Sequence, residues 1–405
     1  MTRRFPLPLA LVATFVCASP AAVTGAGITG QLHGTLSLKA APPVPWRIEL
    51  ADEAGIASLP LTLSATADGL DLRVALHQRA GDDLLWSIET ATVDLVEWWP
   101  AIRALAGLDE SFEGWRIGGR VSLTGSGKII DGQPWGRVQI TIEDAHAVND
   151  TDGIEVRQIQ ANLHCDDLIA FSLRPGQTIR AGLIQSAGIT ATDAVIRLGR
   201  TAAGVIDLQQ LSAHVFDGTV ALEPFSFDPR TPMLRARLRF DGLSVPAMTA
   251  LVPTAISSAR GRLGGAGSVL WHLDKPVPDE VLLTFENPGA ANVSLSPQPG
   301  LLSAGVPPRF TLLPINLGPL TKLFAPENPA YKPLVAIELG RLPLRIDELK
   351  IVFTPKTADA LGRSASLHLK GSPENNALIK SVTIDLNVHG AISEVISLGT
   401  DRRLR

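Results

Sequence analysis

The run Gly125-Ser126-Gly127-Lys128 is the kind of glycine–lysine cluster that can cradle a phosphate. A Walker-type loop also needs an earlier glycine and a hydroxyl after the lysine, and this chain has Ser122 and Ile129 there. The run therefore reads as a hairpin turn. Asn149-Asp150-Thr151-Asp152-Gly153 resembles the start of a calcium loop, but it lacks the distal glutamate and the one-three-five spacing, so it reads as a solvated turn. None of the eight histidines has another at i+2 or i+4, so a zinc site would need residues from distant parts of the chain. His77 and His389 fall on the wet faces of predicted strands. There is no Gly-x-Ser-x-Gly, and no carboxylate pair stands out from the strand pattern. Cys17 lies in the N-terminal apolar segment, which leaves Cys165 as a lone buried thiol if that segment is removed. The sequence thus offers no catalytic residue, metal ligand or cofactor site, and the reading is a non-enzyme.

The elements around these residues are more informative. The chain has 405 residues, 36 Gly and 30 Pro, and is 45% hydrophobic and 19% charged, which suits many short strands joined by turns. Alternation with period two is clean. Leu234, Ala236, Leu238 and Phe240 share one face, opposite Arg235, Arg237 and Arg239. Leu70, Leu72, Val74 and Leu76 do the same, as do Val138, Ile140 and Ile142, and Val382, Ile384, Leu386 and Val388. This is the signature of antiparallel strands with one apolar and one wet face.

Four short helices are predicted. The first runs from Asp94 to Gly107, with Asp94 and Glu97 as a capping box, an apolar stripe of Trp98, Ile102 and Leu105, and Pro100 distorting or delaying its start. The second begins at the Ser244 cap, the third spans Leu317 to Pro326, and the fourth Ala391 to Gly399. After the first two comes Arg-Ile-Gly-Gly (Arg116–Gly119) or Arg-Leu-Gly-Gly (Arg262–Gly265) and another strand. The unit of strands, short helix and Gly-Gly turn thus repeats. The two glycines are expected to form the turn that restarts the strand, allowing positive φ and close backbone approach.

The net charge is −4, and lysines and arginines form no stripe of the kind that grips a phosphate backbone, so nucleic acid is not a partner. Met1-Thr2-Arg3-Arg4, the apolar Phe5–Ala18 and the small residues that follow read as a secretory signal or an uncleaved membrane anchor over residues 1–26. An N-terminal β-repeat region (27–200) and a C-terminal β region (201–405) follow. The fold class is mainly β, a long, twisted antiparallel sheet of degenerate repeats with a few short amphipathic helices. Its apolar face either closes into a sandwich or curls into a groove for a hydrophobic ligand. A chain of about 16 carbons would gain on the order of 12 kcal/mol in a dry groove.

Four segments carry a family resemblance. Phe216–Pro229, Leu234–Pro253, Ala259–Trp271 and the closing strand–helix resemble the C-terminal region of YdbH-like proteins, within the AsmA-like or repeating β-groove superfamily, over about residues 205–405. Residues 90–125 look like an earlier copy of the same unit. The resemblance implies a periplasmic, membrane-associated bridge in the cell envelope. It would carry phospholipid or another acyl-chain ligand along an apolar groove, with a small envelope lipoprotein as a further partner, and without catalytic residues or cofactors. Leu234, Leu238, Phe240, Val382, Ile384, Leu386 and Val388 would line the groove. A structural or protein-binding exported β-sandwich is the alternative, and a hydrolase or lyase on a β scaffold a third.

Overall fold

A computed structural model describes residues 30–36, 43–50, 60–78, 84–106, 112, 114–131, 133–150, 153–186, 189–231, 233–249, 256–272, 279–286, 291–310, 326–354, 363–374 and 378–389. The N-terminal signal or anchor, Cys17 and the helices expected at Leu317–Pro326 and Ala391–Gly399 lie outside the described residues. Within them, 21 strands join in one long antiparallel sheet that does not close on itself, with three helices. The mainly β class and the open antiparallel sheet are as the alternation indicates. The chain divides into two compact units, the first made of residues 1–186, 191–211 and 224–231, the second of 187–190, 212–223 and 232–405.

The first unit opens as a meander of β1 (Gly30–Leu36), β2 (Val44–Leu50), β3 (Pro60–Ala67), β4 (Leu70–Gln78), β5 (Leu84–Asp94), β6 (Trp115–Ile130), β7 (Gln133–Asn149), β8 (Ile154–Asp167) and β9 (Ser172–Ser186). Each strand pairs antiparallel with the next. Register aligns Leu63, Val74, Ile88, Gly125, Val138 and Cys165 as successive cross-strand neighbours. The five side chains in that row are buried and form the spine of the core.

Beside this row, Trp86 is 1% exposed and stands opposite Gly127, which in turn faces Gly136. A methyl on Gly136 would lie 2.6 Å from the Trp86 ring. Gly125-Ser126-Gly127-Lys128 is therefore neither a phosphate loop nor the expected turn. It lies inside β6, where Gly125 and Gly127 lie close against the β7 backbone while Gly136 of β7 makes room for the indole, and the hairpin turn comes later, at Asp131.

Helix α1 (Leu95–Ala106) follows β5 directly. The Asp94 carboxylate accepts the Val96 N–H at 2.9 Å, while the Asp94 N–H donates to Gly69 O at 2.7 Å and so docks the helix start on the β3–β4 turn. Pro100 sits inside the helix and does not delay its start. Trp98 and Ala101 are fully buried and Ile102 packs against the same core, so the stripe is real, while the Leu105 side chain lies outside the described residues.

The Gly-Gly pairs are not turns. Gly118 and Gly119 lie within β6, and the turn before them is at Gly114, with φ +79°. Gly119 (φ +119°) forms a bulge against Ala145, whose Cα would be 2.4 Å from an added methyl. The next strands bulge at the same level. Asp144 in β7 has φ +48°, Gln158 in β8 has φ +56°, and Ala145 pairs with Ile159 between them. Each bulge bends its strand and adds right-handed twist, so this line of bulges bends the sheet.

The remaining strands of the first unit are β10 (Ile189–Arg200), the start of β11 (Ile206–Val215) and β13 (Phe225–Phe227), which pairs with β11. In the second unit, β12 (Gly218–Leu222) pairs with β14 (Met233–Ser244), followed across the sheet by β16 (Arg262–His272), β17 (Glu280–Glu286), β19 (Leu344–Phe353), β20 (Arg363–Pro373) and β21 (Val382–His389). A side branch pairs β15 (Ile256–Arg260) with β18 (Asn292–Leu295), which returns to β19. Helix α2 (Val245–Thr249) repeats the α1 plan. Ser244 caps it through its hydroxyl, and the Ser244 N–H donates to Phe216 O at 2.8 Å, in the turn between β11 and β12. The second Gly-Gly lies inside β16, after a turn at Gly261 with φ +94°. Helix α3 (Tyr331–Glu338) has no counterpart among the predicted helices.

Candidate functional site

The second unit presents its apolar face as rows of cross-strand neighbours. Phe240, Gly265, Phe285, Leu349, Leu369 and Ile384 form one row, and its side chains are all below 10% exposure. This row joins a core that also holds Val245 of α2 and Ile337 of α3. One step along the strands, Leu238, Gly267, Leu283, Ile351 and Leu367 form a second row that is only half-buried. The face is thus dry along the row that joins this core and more open one step away.

Three of the residues read from the sequence as groove lining divide between these rows, and Val382 joins the same core from outside them. Phe240, Val382 and Ile384 are in the dry core, and Leu238 packs against it from the half-open row. Leu234 is half-buried and pairs with Trp271 at the far end of β14. Leu386 stands opposite Leu367 and Val388 opposite Ala365, but both side chains lie outside the described residues. Sequence reasoning missed Leu283 and Ile351. The pattern in Glu280–Glu286 and Leu344–Phe353 was available to show them.

The first unit carries a similar half-open stretch. Ala147, Val156 and Ile184 are cross-strand neighbours, as are Ala145, Ile159 and Ala181, and Ile142, Ala161 and Ile179. The alanines are buried while Val156, Ile159, Ile179 and Ile184 remain half-exposed. This stretch of the apolar face is therefore only partly covered. On β13, Phe225 and Phe227 stand opposite Leu208 and Ile206, with ring centroids 5.7 Å apart.

The residues that resembled chemistry have structural partners. Burial pushes the Cys165 thiol up to about 11, far from a reactive thiolate, and its Sγ lies 3.2 Å from Asp167 O. Asp150, in the Asn149–Gly153 stretch, pairs with Arg116 at 2.8 Å, and Gly153 (φ +61°) turns the chain into β8. Arg262 donates to Asp217 O at 2.6 Å and Gly242 O at 2.7 Å, tying the start of β16 to the β11–β12 turn. Both arginines of the repeated motif thus fasten strand ends. Among the described residues, no three of His, Cys, Asp and Glu are grouped to hold a metal.

A cavity of about 760 Å³ lies beside α3 and is lined by Pro299, Val306, Pro307, Tyr331 and Glu338 among others. Glu338 is 2% exposed, and its carboxylate is occupied by the N–H groups of Leu302 (2.9 Å) and Ser303 (3.1 Å) and the Ser303 hydroxyl (2.7 Å). The Leu302 N–H first, and then the Ser303 hydroxyl and the other amides, outweigh burial and hold its pKa down at about 2. It is a loop anchor. A carboxylate depressed in the folded state stabilises fully above its ordinary pKa, near 4.5, and loses that contribution as pH falls through about 2. Glu338→Gln should therefore melt below the native chain at neutral pH, with the gap closing between pH 5 and 2. Parallel thermal melts across that range would test this, and a gap that stays constant would refute it.

Comparison with family models matches residues 7–266 to the YdbH-like family, described as intermembrane phospholipid transport protein YdbH. The match spans most of the first unit and overlaps the resemblance read over 205–405 up to residue 266. No curated protein and no solved structure matches the chain. With an open repetitive β-sheet and a family match over more than half its length, the chain belongs to the YdbH-like family.

Proposed function

We propose that this chain moves phospholipid between the membranes of a cell envelope, holding the acyl chains on the half-open apolar rows. The observation that carries this reading is the pair of half-open apolar stretches: Val156, Ile159, Ile179 and Ile184 in the first unit, and Leu238, Leu283, Ile351 and Leu367 in the second. Half-exposed hydrocarbon aligned over neighbouring strands costs solvation unless something covers it, and each acyl CH₂ placed there gains about 0.8 kcal/mol. Leu234 and Leu238 belong to this lining, while Phe240 and Ile384 support it from the dry row and Val382 from the core that row joins. The family match supports a place in the envelope, and we add to it association with a membrane through the N-terminal segment and a small lipoprotein as partner. The reading assigns no catalytic step. No described helix is long and apolar enough to cross a membrane.

The test is site-specific photo-crosslinking. Benzoylphenylalanine at Ile179 or Ile351 should capture phospholipid in cells. At the exposed positions Gln160 and Lys350, on the wet face, it should not. If no phospholipid copurifies and neither apolar-face position captures any, the rows are the surface of a structural or protein-binding sheet, and the transport reading fails.

A further inference from the structure

The wet face of the second unit carries a charge pattern that lipid transport along the opposite face does not use. Arg235, Arg237 and Arg239 project from β14 at every second residue, so their guanidinium groups repeat at about 6.7 Å. All three are exposed. Register then sets Arg239, Ala266, Thr284, Lys350 and His368 in one line across the sheet, and Arg237, Ser268, Leu282 and Val352 in the next. The floor between β14 and β19 is therefore small at Ala266, Ser268 and Thr284. The arginines bank it along β14, and Lys350, next to the exposed Glu348, faces them from β19 about 14 Å away.

Other charges on this face are satisfied at home. His368 bonds Asp385 at 2.6 Å, and Arg345 bonds Asp347 at 3.1 Å. Arg237 has Glu223 only at 3.9 Å, and Arg235, Arg239 and Lys350 make no ion pair among the described residues. Like charges at two-residue spacing repel, and among the described residues only Glu223 stands within ion-pair distance of the three arginines. Glu280 and Glu286, both exposed, stand at the two ends of β17. A flat anionic surface such as a bilayer would press on these acids and meet only the tips of the banks. A single extended chain can lie within the strip.

We propose that this strip docks an extended acidic segment of a partner polypeptide. Alternate carboxylates along a strand repeat at the same spacing as the arginines, so each can meet one guanidinium. The proposal is independent of the lipid reading, since it uses the opposite face.

The test uses the full chain and a fluorescein-labelled peptide of alternating Asp and Thr, with an Asn–Thr peptide as the neutral control and phosphatidylglycerol vesicles as the bilayer control. Fluorescence anisotropy should show the acidic peptide binding and weakening as salt rises. The triple variant R235Q/R237Q/R239Q should lose at least about tenfold in affinity, and the matching triple lysine variant should retain most of it. Circular dichroism checks that these exposed substitutions leave the fold unchanged. Equal binding of the two peptides, native affinity in the glutamine variant, or binding of vesicles without binding of the acidic peptide would each overturn the proposal.

Discussion

Trp98→Ala is expected to destabilise the first unit by about 3–5 kcal/mol, the range for truncating a buried large aromatic. Trp98 is fully buried, and its helix α1 is the element that covers this part of the core. The side chain also fastens helix to sheet, because its indole N–H donates to Asp68 O at 2.9 Å in the β3–β4 turn. Alanine would remove the packing and the tie together and leave a cavity that the flanking strands cannot fill. Trp98→Phe separates the two effects: it keeps most of the packing and strands the Asp68 carbonyl, at a cost of about 1 kcal/mol for the lost hydrogen bond. Trp86 is the control. It is equally buried, but its indole N–H finds no acceptor among the described residues, so Trp86→Phe should cost less than Trp98→Phe. Urea denaturation followed by far-UV circular dichroism would rank the three variants. Equal losses for the two Trp→Phe changes would remove the tie from the account.

The sequence disclosed the parts of this molecule that depend on a strand alone, and it missed those that depend on what lies across from it. Alternation in Leu234–Phe240 and Val382–Ile384 predicted correctly which side chains turn inward, because period two is a property of the single strand. It could not say which inward residues stay dry. Phe240 and Leu238 are two residues apart on one face, yet one joins the closed core and the other sits in the half-open row. The closed core around Phe240 includes Val245 and Ile337, contributed by α2 and α3, which no single strand reveals.

Helix α3 escaped notice because it lacks the usual signs. Pro329 and Pro333 interrupt the stretch, and Ala330 at its start makes no side-chain cap. Arg116 and Arg262 had no meaning until Asp150 and the carbonyls of Asp217 and Gly242 were placed beside them. The Gly-Gly pairs were noticed for the right reason and given the wrong place. Glycine was read as a turn former, but here it is demanded by a neighbouring strand.

That demand makes Gly119→Val the second large effect. Valine at φ +119° is strained by about 1–3 kcal/mol. Its Cβ would also meet the Ala145 Cα at 2.4 Å, and forcing a side chain into packed structure costs about 1–3 kcal/mol more. Removing the opposing methyl with Ala145→Gly should not rescue the variant, because the closest atom is backbone. The first glycine of the second pair gives the contrast. Gly264 has ordinary φ, and its nearest atom is Phe240 O at 3.4 Å, so Gly264→Ala should be neutral or gain a little, up to about 1 kcal/mol, from the stiffer unfolded chain. The consequence of Gly119→Val reaches beyond stability. Gly119 begins the line of bulges that continues through Asp144 and Gln158, beside the half-open stretch of Val156, Ile159 and Ile179. A β6 that cannot bulge must either lose its pairing with β7 or shift register there, and a one-residue shift turns Val121 and Leu123 to the wet face. The variant should therefore lose phospholipid capture at Ile179 even where enough folded protein remains to measure it, while Gly264→Ala keeps capture at Ile351. Native capture at Ile179 in a folded Gly119→Val chain would show that the bulge line does not shape the apolar face.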